Sequence, residues 1–280
     1  MRIDKLQASG NDFIIVEGVE FNNLLRKEIA LKVCDRHFGV GADGIVFLNL
    51  KENNKFDFRI WNNNGTEAEI SGNGLINAGA YVALKYRDKI KDTVIFLTKA
   101  GERDVKILEV ENHTVKLKVD MGQPIFSSDD IPFYDGTSYQ KIVDYPLNIN
   151  RRVYNVTILS MGNPHTVVFL DSFPSSFELQ QIGREIESHA FFPNRTNVEF
   201  VKIIDRNNIE VLFWERGVGE TLSSGSGSSA AVIAGRLKGE LDEVVSVKTK
   251  AGDIIIECME EKVYLNGVSQ HILSGEFFVK

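Results

Sequence analysis

The sequence predicts an α+β fold of two homologous lobes related by a pseudo-twofold axis. Each lobe is expected to be a mainly antiparallel sheet wrapped around a central helix, with an active site in the cleft between the lobes. Three observations support this prediction: a long internal repeat, alternating apolar runs typical of strands with one buried face, and two short segments of helical character that are apolar nearly all round.

The repeat joins "FDFRIWNNNGTEAEISGNG" to "IEVLFWERGVGETLSSGSG", which align without a gap so that Trp61 falls on Trp214, an offset of 153 residues. The similarity extends on both sides, because "NDFIIV" from Asn11 pairs with "NPHTVV" from Asn163 and "TKAG" occurs twice. A repeat of roughly 150 residues that occurs twice indicates duplicated domains, whereas a solenoid would repeat every 20 to 50 residues or so.

Alternating apolar runs predict strands in both halves, at 94–98, 104–110, 114–120, 153–160, 165–170 and 198–203. Two apolar segments, "GLINAGAYVALKY" and "GSSAAVIAGRLKG", predict one enclosed helix in each half. The predicted lobes are 1–120 together with a C-terminal strand at about 268–280, and 121–267.

The composition is that of a soluble globular protein, with 280 residues, 43% apolar content and six prolines. A net charge of -7 and the absence of long Lys/Arg runs argue against nucleic acid or an anionic membrane as partner. The N-terminus shows no signal-peptide core, so a cytoplasmic location is expected. Cys34 and Cys258 lack metal-type spacing and are expected to be reduced and buried, without a disulfide.

The Gly/Ser stretch "LSSGSGSSAA" at 222–231 could be a flexible linker. A linker would not lie inside a gap-free repeat, between a strand and a helix, with a counterpart "ISGNGLIN" in the other half. We therefore interpret both stretches as strand-to-helix turns whose backbone N–H groups bind an anion such as a carboxylate. A nucleotide phosphate is disfavoured, since neither a P-loop nor a dinucleotide-binding motif is present.

Each turn presents one side chain, Ser71 or Ser224, at a helix N-terminus. Two such turns facing each other would place one group on each side of a bound small molecule. A stereocentre is inverted most simply by a base that removes a proton from one face and an acid that delivers one to the other, so this symmetry points to a cofactor-independent racemase or epimerase.

These motifs resemble those of the diaminopimelate epimerases, pyridoxal-independent enzymes of lysine and peptidoglycan synthesis. The similarity runs from end to end, through "GNDF", "CDRHFGVGADG", "NNNGTEAEISGNG", "MGNPH", "FPNRTN" and "ERGVGETLSSGSG". The resemblance implies the duplicated two-lobe fold, an amino-acid substrate, no cofactor, no metal and assembly as a homodimer.

The resemblance also implies roles for individual residues. The substrate's distal amino and carboxyl groups would be held by Asn11, Asn62, Asn163, Asn197 and Arg216. The reacting carboxylate would lie on the backbones of Gly72, Asn73, Gly225 and Ser226. His165 and Glu215 would sit beside the reacting centre, Glu215 also contacting substrate, and Ser71 and Ser224 occupy the two catalytic positions.

This sequence departs from the family pattern at three positions. At Gly44 the family often has a larger side chain that lines the pocket, so a contact could be absent. At Ser71 and Ser224 the family has cysteine, and those two thiols are its acid and base. A thiol at a helix N-terminus can have a pKa of roughly 3.5 to 7.5, whereas a serine hydroxyl starts far higher and needs a neighbouring base.

We therefore expect substrate binding without turnover, or with very slow turnover, because the exchange is nearly isosteric and the carboxylate cradle is backbone. His165 could assist one serine, but its repeat partner is Phe13 and cannot assist the other. The serines are either a deliberate double Cys→Ser substitution or a natural variant. Two alternative functions are an epimerase, racemase or eliminating enzyme for another amino acid, and a non-catalytic amino-acid-binding protein.

Overall fold

The computed structural model describes residues 1–18, 21–52, 54–90 and 92–278. The chain divides into two compact units. The first unit contains Met1–Asp120 and the C-terminal segment from Asn266, and the second unit is Met121–Leu265.

Over its described residues, the first unit shows two helices and eight strands that begin within it. In chain order they are β1 (Arg2–Ala8), β2 (Asn11–Glu17), α1 (Asn23–Val33), β3 (Gly44–Glu52), β4 (Lys55–Asn62), β5 (Glu67–Ala68), α2 (Gly72–Lys85), β6 (Thr93–Thr98), β7 (Gly101–Glu111) and β8 (Thr114–Gly122).

The second unit has a similar series of elements. They are β9 (Ile142–Ile149), β10 (Arg152–Ser160), β11 (Pro164–Phe169), α3 (Ser176–Glu187), β12 (Asn197–Asp205), β13 (Asn208–Glu215), β14 (Gly219–Thr221), α4 (Gly225–Leu237), β15 (Val244–Thr249) and β16 (Gly252–Met259). The last strand, β17 (Lys262–Glu276), begins in the second unit and continues into the first. All six predicted strands are present.

Strand pairing repeats between the two units, which confirms the α+β fold with two similar lobes. β2 and β3 pair in parallel with Phe13 opposite Gly44, and β11 and β12 pair in parallel with His165 opposite Asn197. Most other pairs are antiparallel, apart from the parallel pairs β4–β6 and β13–β15. Residues about 150 positions apart in the sequence therefore occupy equivalent places in the strand pairing of the two units.

The hairpins that contain the two "TKAG" motifs show the same repetition in detail. The Thr98 hydroxyl donates to the Gly101 carbonyl over 2.6 Å, and the Thr249 hydroxyl donates to the Gly252 carbonyl over 2.7 Å. A threonine hydroxyl bonded to nearby backbone stabilises a tight turn. The repeated tetrapeptide thus forms the same turn in each unit.

Both predicted central helices are present, and each starts two residues before its predicted first residue. α2 is buried continuously from Gly72 to Ala83 and α4 from Gly225 to Gly235. Helices that are apolar on all sides need sheet around them, and this burial explains why their sequences show no polar face.

The end of the chain belongs to the first unit. β17 pairs antiparallel with β1, with Ser269 opposite Ala8, and the backbone of Met1 exchanges hydrogen bonds with that of Phe277. Of the strand suggested by "EFFVK", only Glu276 lies in β17; Phe277 and Phe278 follow the strand, and 279–280 lie outside the described residues.

Candidate active site

In the first unit, the Gly/Ser turn runs from β5 into α2, and Ser71 is the N-cap of that helix. The N-cap backbone is extended, with φ -144° and ψ 124°, and the hydroxyl oxygen accepts the Gly74 N–H over 3.1 Å. The first backbone N–H groups of a helix have no partner within it and carry the positive end of its dipole. The turn is thus suited to bind an anion, as the sequence predicts.

The turn in the second unit has the same geometry. Ser224 is the N-cap of α4 with φ -143° and ψ 123°, and its hydroxyl oxygen accepts the Gly227 N–H over 3.2 Å. The interpretation as a linker is therefore wrong, because both stretches are ordered strand-to-helix turns.

The glycine three residues after each serine is required by close packing. A Cβ on Gly74 would lie 2.8 Å from Ile60 Cδ1, and a Cβ on Gly227 would lie 2.7 Å from Glu199 Oε1. Only glycine lets the first helical turn approach the sheet this closely.

Two of the predicted asparagines lie at the ends of strands in the first unit. Asn11 begins β2 and donates from Nδ2 to Asp43 Oδ2 over 2.8 Å. Asn62 ends β4, opposite Gly44, and its Nδ2 donates to the Thr66 hydroxyl over 3.0 Å. Since β5 pairs with the end of β4, the β5–α2 turn follows from this same region.

The corresponding strand ends in the second unit bring together Asn163, His165, Asn197 and Arg216. Asn197 is held at both ends of its amide, with Nδ2 donating to the Pro164 carbonyl over 2.8 Å and Oδ1 accepting the Arg216 N–H over 2.9 Å. The His165 ring contacts Asn163, with Nε2 at 2.9 Å from Asn163 Oδ1. These four predicted residues thus form one cluster within the second unit.

Glu215 is the carboxyl group next to Ser224. Its Oε1 accepts from the Thr221 hydroxyl over 3.0 Å, and the Ser224 hydroxyl is hydrogen-bonded to the same carboxyl group. Burial raises the pKa of Glu215 above its ordinary value, and the hydrogen bonds from Thr221 and Ser224 oppose that shift. At the equivalent repeat position the first unit has Asn62, so the two turns have different chemical surroundings.

His165 contacts a buried carboxyl group that the sequence analysis missed. Its Nδ1 lies 2.7 Å from Glu199 Oε1, and the two side chains are 0% and 1% exposed. Burial raises the pKa of Glu199, and the nearby His165 opposes that shift. An acidic residue in the middle of the apolar run "NVEFV" was the available signal, because buried carboxyl groups need a partner. The two His165 nitrogens thus contact oxygens of Glu199 and Asn163.

The predicted site residues fall into two sets. The first unit contains Asn11, Asn62, Ser71, Gly72 and Asn73, whereas the second contains Asn163, His165, Asn197, Glu215, Arg216, Ser224, Gly225 and Ser226.

The departure at Gly44 has a steric reason. A Cβ at this position would lie 2.7 Å from both Phe13 Cε1 and the Trp61 carbonyl oxygen. The Phe13 ring therefore fills the space beside Gly44, and a larger residue there would require the ring to move.

Neither cysteine has the properties of an acid–base thiol. Cys34 and Cys258 are free and buried, as predicted. Burial raises the pKa of Cys34 to about 12 and that of Cys258 to about 11. Thiols with these pKa values remain protonated at neutral pH.

None of the helices within the described ranges is both long and apolar enough to span a membrane.

The fold is shared with a solved structure of low sequence identity. A probable proline racemase from Agrobacterium radiobacter superimposes with a TM-score of 0.72 at 12% identity, covering 100% of this chain and 93% of the racemase. Two relatives are much more similar in sequence. Diaminopimelate epimerase from Carboxydothermus hydrogenoformans is 40% identical over 283 residues and 100% of both chains, and that from Caldanaerobacter subterraneus is 41% identical over 99% of both. The chain matches the diaminopimelate epimerase family over residues 4–127 and 157–272, and it belongs to that family.

Proposed function

We propose that this chain binds LL- and meso-2,6-diaminopimelate and that, with serine at both catalytic positions, it interconverts them very slowly or not at all. The observation that supports the proposal best is the matched pair of N-cap serines, Ser71 and Ser224, with nearly identical backbone angles. One turn would supply the proton acceptor and the other the proton donor. The family is one of epimerases acting in lysine biosynthesis.

Binding is expected to depend on groups that the exchange of cysteine for serine leaves unchanged. The backbone N–H groups at the start of α2 and α4 would hold the reacting carboxylate. The asparagines at the strand ends, together with Arg216, would hold the distal amino and carboxyl groups, since a guanidinium group suits a carboxylate. His165 and Glu215 would lie beside the reacting centre.

Proton transfer is expected to be limited by the two hydroxyls. A serine hydroxyl needs a neighbouring base to act on a carbon acid. Glu215 is hydrogen-bonded to Ser224, and its raised pKa makes it a better base than an ordinary carboxylate. In the first unit the equivalent residue is Asn62, an amide that cannot accept a proton, so a complete two-base reaction is not supported.

The test restores the thiols. The double variant Ser71→Cys/Ser224→Cys should exchange the α-proton of diaminopimelate with D₂O and interconvert the stereoisomers. The serine chain should bind both stereoisomers, as measured by calorimetry, with little or no exchange. Ser175→Cys is a matched control, because Ser175 is the N-cap of α3 and lies outside both turns. A double variant that binds diaminopimelate but never exchanges its α-proton would contradict the proposal.

A homodimer and a cytoplasmic location are also part of the proposal, on the strength of the family resemblance. Light scattering coupled to size exclusion should give twice the chain mass of 31.4 kDa.

A further inference from the structure

Among the described residues, a carboxylate holds one end of the Asn11 side chain and no group holds the other. Asp43 Oδ2 accepts from Asn11 Nδ2 over 2.8 Å and from the Asp12 N–H over 3.2 Å. The other oxygen of Asp43 accepts from Arg36 over 2.8 Å. Because an ionised carboxylate can only accept hydrogen bonds, the amide nitrogen of Asn11 must face Asp43. The carbonyl oxygen, Oδ1, therefore points away from Asp43.

In the part of the chain that the structure describes, no group donates a hydrogen bond to Asn11 Oδ1. The neighbouring Asn77 donates instead to the backbone carbonyl of Asn11, over 3.2 Å. Asn77 lies on α2, the helix that Ser71 caps. Asn11 thus presents an unused acceptor beside the element that carries the candidate carboxylate cradle of this unit.

The repeat-equivalent residue in the second unit has the opposite orientation. The Oδ1 atom of Asn163 lies 2.9 Å from His165 Nε2, and in the tautomer that carries the proton on Nε2 the ring donates to this oxygen while the NH₂ group of Asn163 faces away from the ring. Asn11 is held through its nitrogen and Asn163 through its oxygen. One therefore offers a ligand an acceptor and the other offers it donors.

We propose that Asp43 is a positioning residue that fixes the side chain of Asn11 with its carbonyl oxygen toward the ligand, where it accepts a hydrogen bond from an ammonium group. Asn163, fixed through His165, serves a carboxylate. This inference rests on the proposed function, since the ammonium group is that of diaminopimelate. It assigns a different charged group to each member of a repeat-equivalent pair.

Two substitutions of Asp43 separate positioning from charge. In Asp43→Ala no acceptor remains for Asn11 Nδ2, so the amide is free to turn its NH₂ group toward the ligand. In Asp43→Asn/Arg36→Ala, which removes the guanidinium donor that would face the new NH₂ group, the side-chain oxygen can still accept from Asn11 Nδ2 and the Asp12 N–H. This double variant therefore removes the charge but keeps the orientation of Asn11, and Arg36→Ala is its reference.

Calorimetry with two ligands gives the main result. For diaminopimelate, Asp43→Ala should raise Kd about tenfold or more, the value of one hydrogen bond to a charged group, whereas Asp43→Asn/Arg36→Ala should bind nearly as tightly as Arg36→Ala. For pimelate, the same diacid without ammonium groups, Asp43→Ala should leave Kd unchanged. If Asp43→Ala weakens the binding of both ligands equally, or does not weaken the binding of diaminopimelate, the role of Asp43 is overturned. The proposed function still stands in that case, provided that the wild-type chain binds diaminopimelate.

A second measurement needs neither ligand nor variant. The side-chain ¹H–¹⁵N signals of Asn11 should show slow hydrogen exchange in the wild-type chain, because its NH₂ group is bonded to Asp43. If the wild-type chain binds no diaminopimelate, the proposed function fails, and slow exchange at Asn11 still supports the orientation. Fast exchange there overturns it, whether or not Asp43→Ala folds.

Discussion

The buried pair of Glu199 and His165 gives a prediction about stability. Glu199 Oε1 lies 2.7 Å from His165 Nδ1, and both side chains are almost completely buried. The first unit has apolar residues at the equivalent positions, Val46 and Phe13, which are 0% and 4% exposed. At these equivalent buried positions, the second unit therefore has a polar pair and the first unit an apolar pair.

We predict strong coupling in a double-mutant cycle that converts the polar pair into the apolar one. Glu199→Val alone leaves the His165 Nδ1 without a partner, and His165→Phe alone leaves a buried carboxyl group. Removing one partner of a buried pair costs about 3–5 kcal/mol, whereas replacing both with apolar residues is often neutral. The double variant should therefore be more stable than the sum of the single effects predicts, by about 2–3 kcal/mol.

Urea denaturation, with the midpoint and the m-value fitted separately, measures this coupling free energy. His165→Phe adds volume, and overpacking could cost about 1–3 kcal/mol, but that cost enters both the single and the double variant. Single effects that add within about 0.5 kcal/mol would refute the idea that the two side chains stabilise each other.

Three further predictions follow from burial and packing. Gly227→Ala should destabilise the protein by about 1–3 kcal/mol in thermal or urea unfolding, because its Cβ would lie 2.7 Å from Glu199 Oε1. The control Gly275→Ala should change stability little, because the space beside Gly275 is open. Equal destabilisation by the two substitutions would contradict the predicted contact at Gly227. The pKa of Glu199 is raised in the folded state, so ionising this group destabilises the fold as pH rises above its ordinary pKa of 4.5. Over that pH range, Glu199→Gln should become progressively more stable relative to wild type. A stability difference that does not change with pH would argue against the raised pKa. Cys34 and Cys258 should react with a thiol reagent only on unfolding, and rapid labelling of the folded chain would contradict their burial.

Most of the fold could be predicted because the sequence contains an internal repeat, so that each half supports the interpretation of the other. The alignment of Trp61 with Trp214 placed both central helices and both Gly/Ser turns, and the turns have the predicted position and similar backbone angles. Strands without clear alternation escaped prediction, such as β9 with its internal proline, and the long β17 was predicted only from about residue 268.

The candidate site was less accessible to sequence reasoning, because its hydrogen bonds join residues far apart in the chain. Asp43 stands in "GADG", where a turn residue is an equally good interpretation, and its contact with Asn11 spans 32 residues. Glu199 lies in an apolar run, and its partner His165 is 34 residues away. Residue types could suggest where an asparagine contacts a ligand, but which end of its amide faces the ligand depends on these tertiary partners.

The central claim is that two N-cap positions carry the acid and base of an epimerase and that serine there removes the reaction but preserves binding. The most direct measurement follows the α-proton of LL-diaminopimelate in D₂O by NMR, with the serine chain and with Ser71→Cys/Ser224→Cys. We expect the double variant to incorporate deuterium and form the meso isomer, while the serine chain binds the substrate with little or no exchange. Rapid epimerisation by the serine chain, or no exchange by a double variant that binds diaminopimelate, would contradict this account.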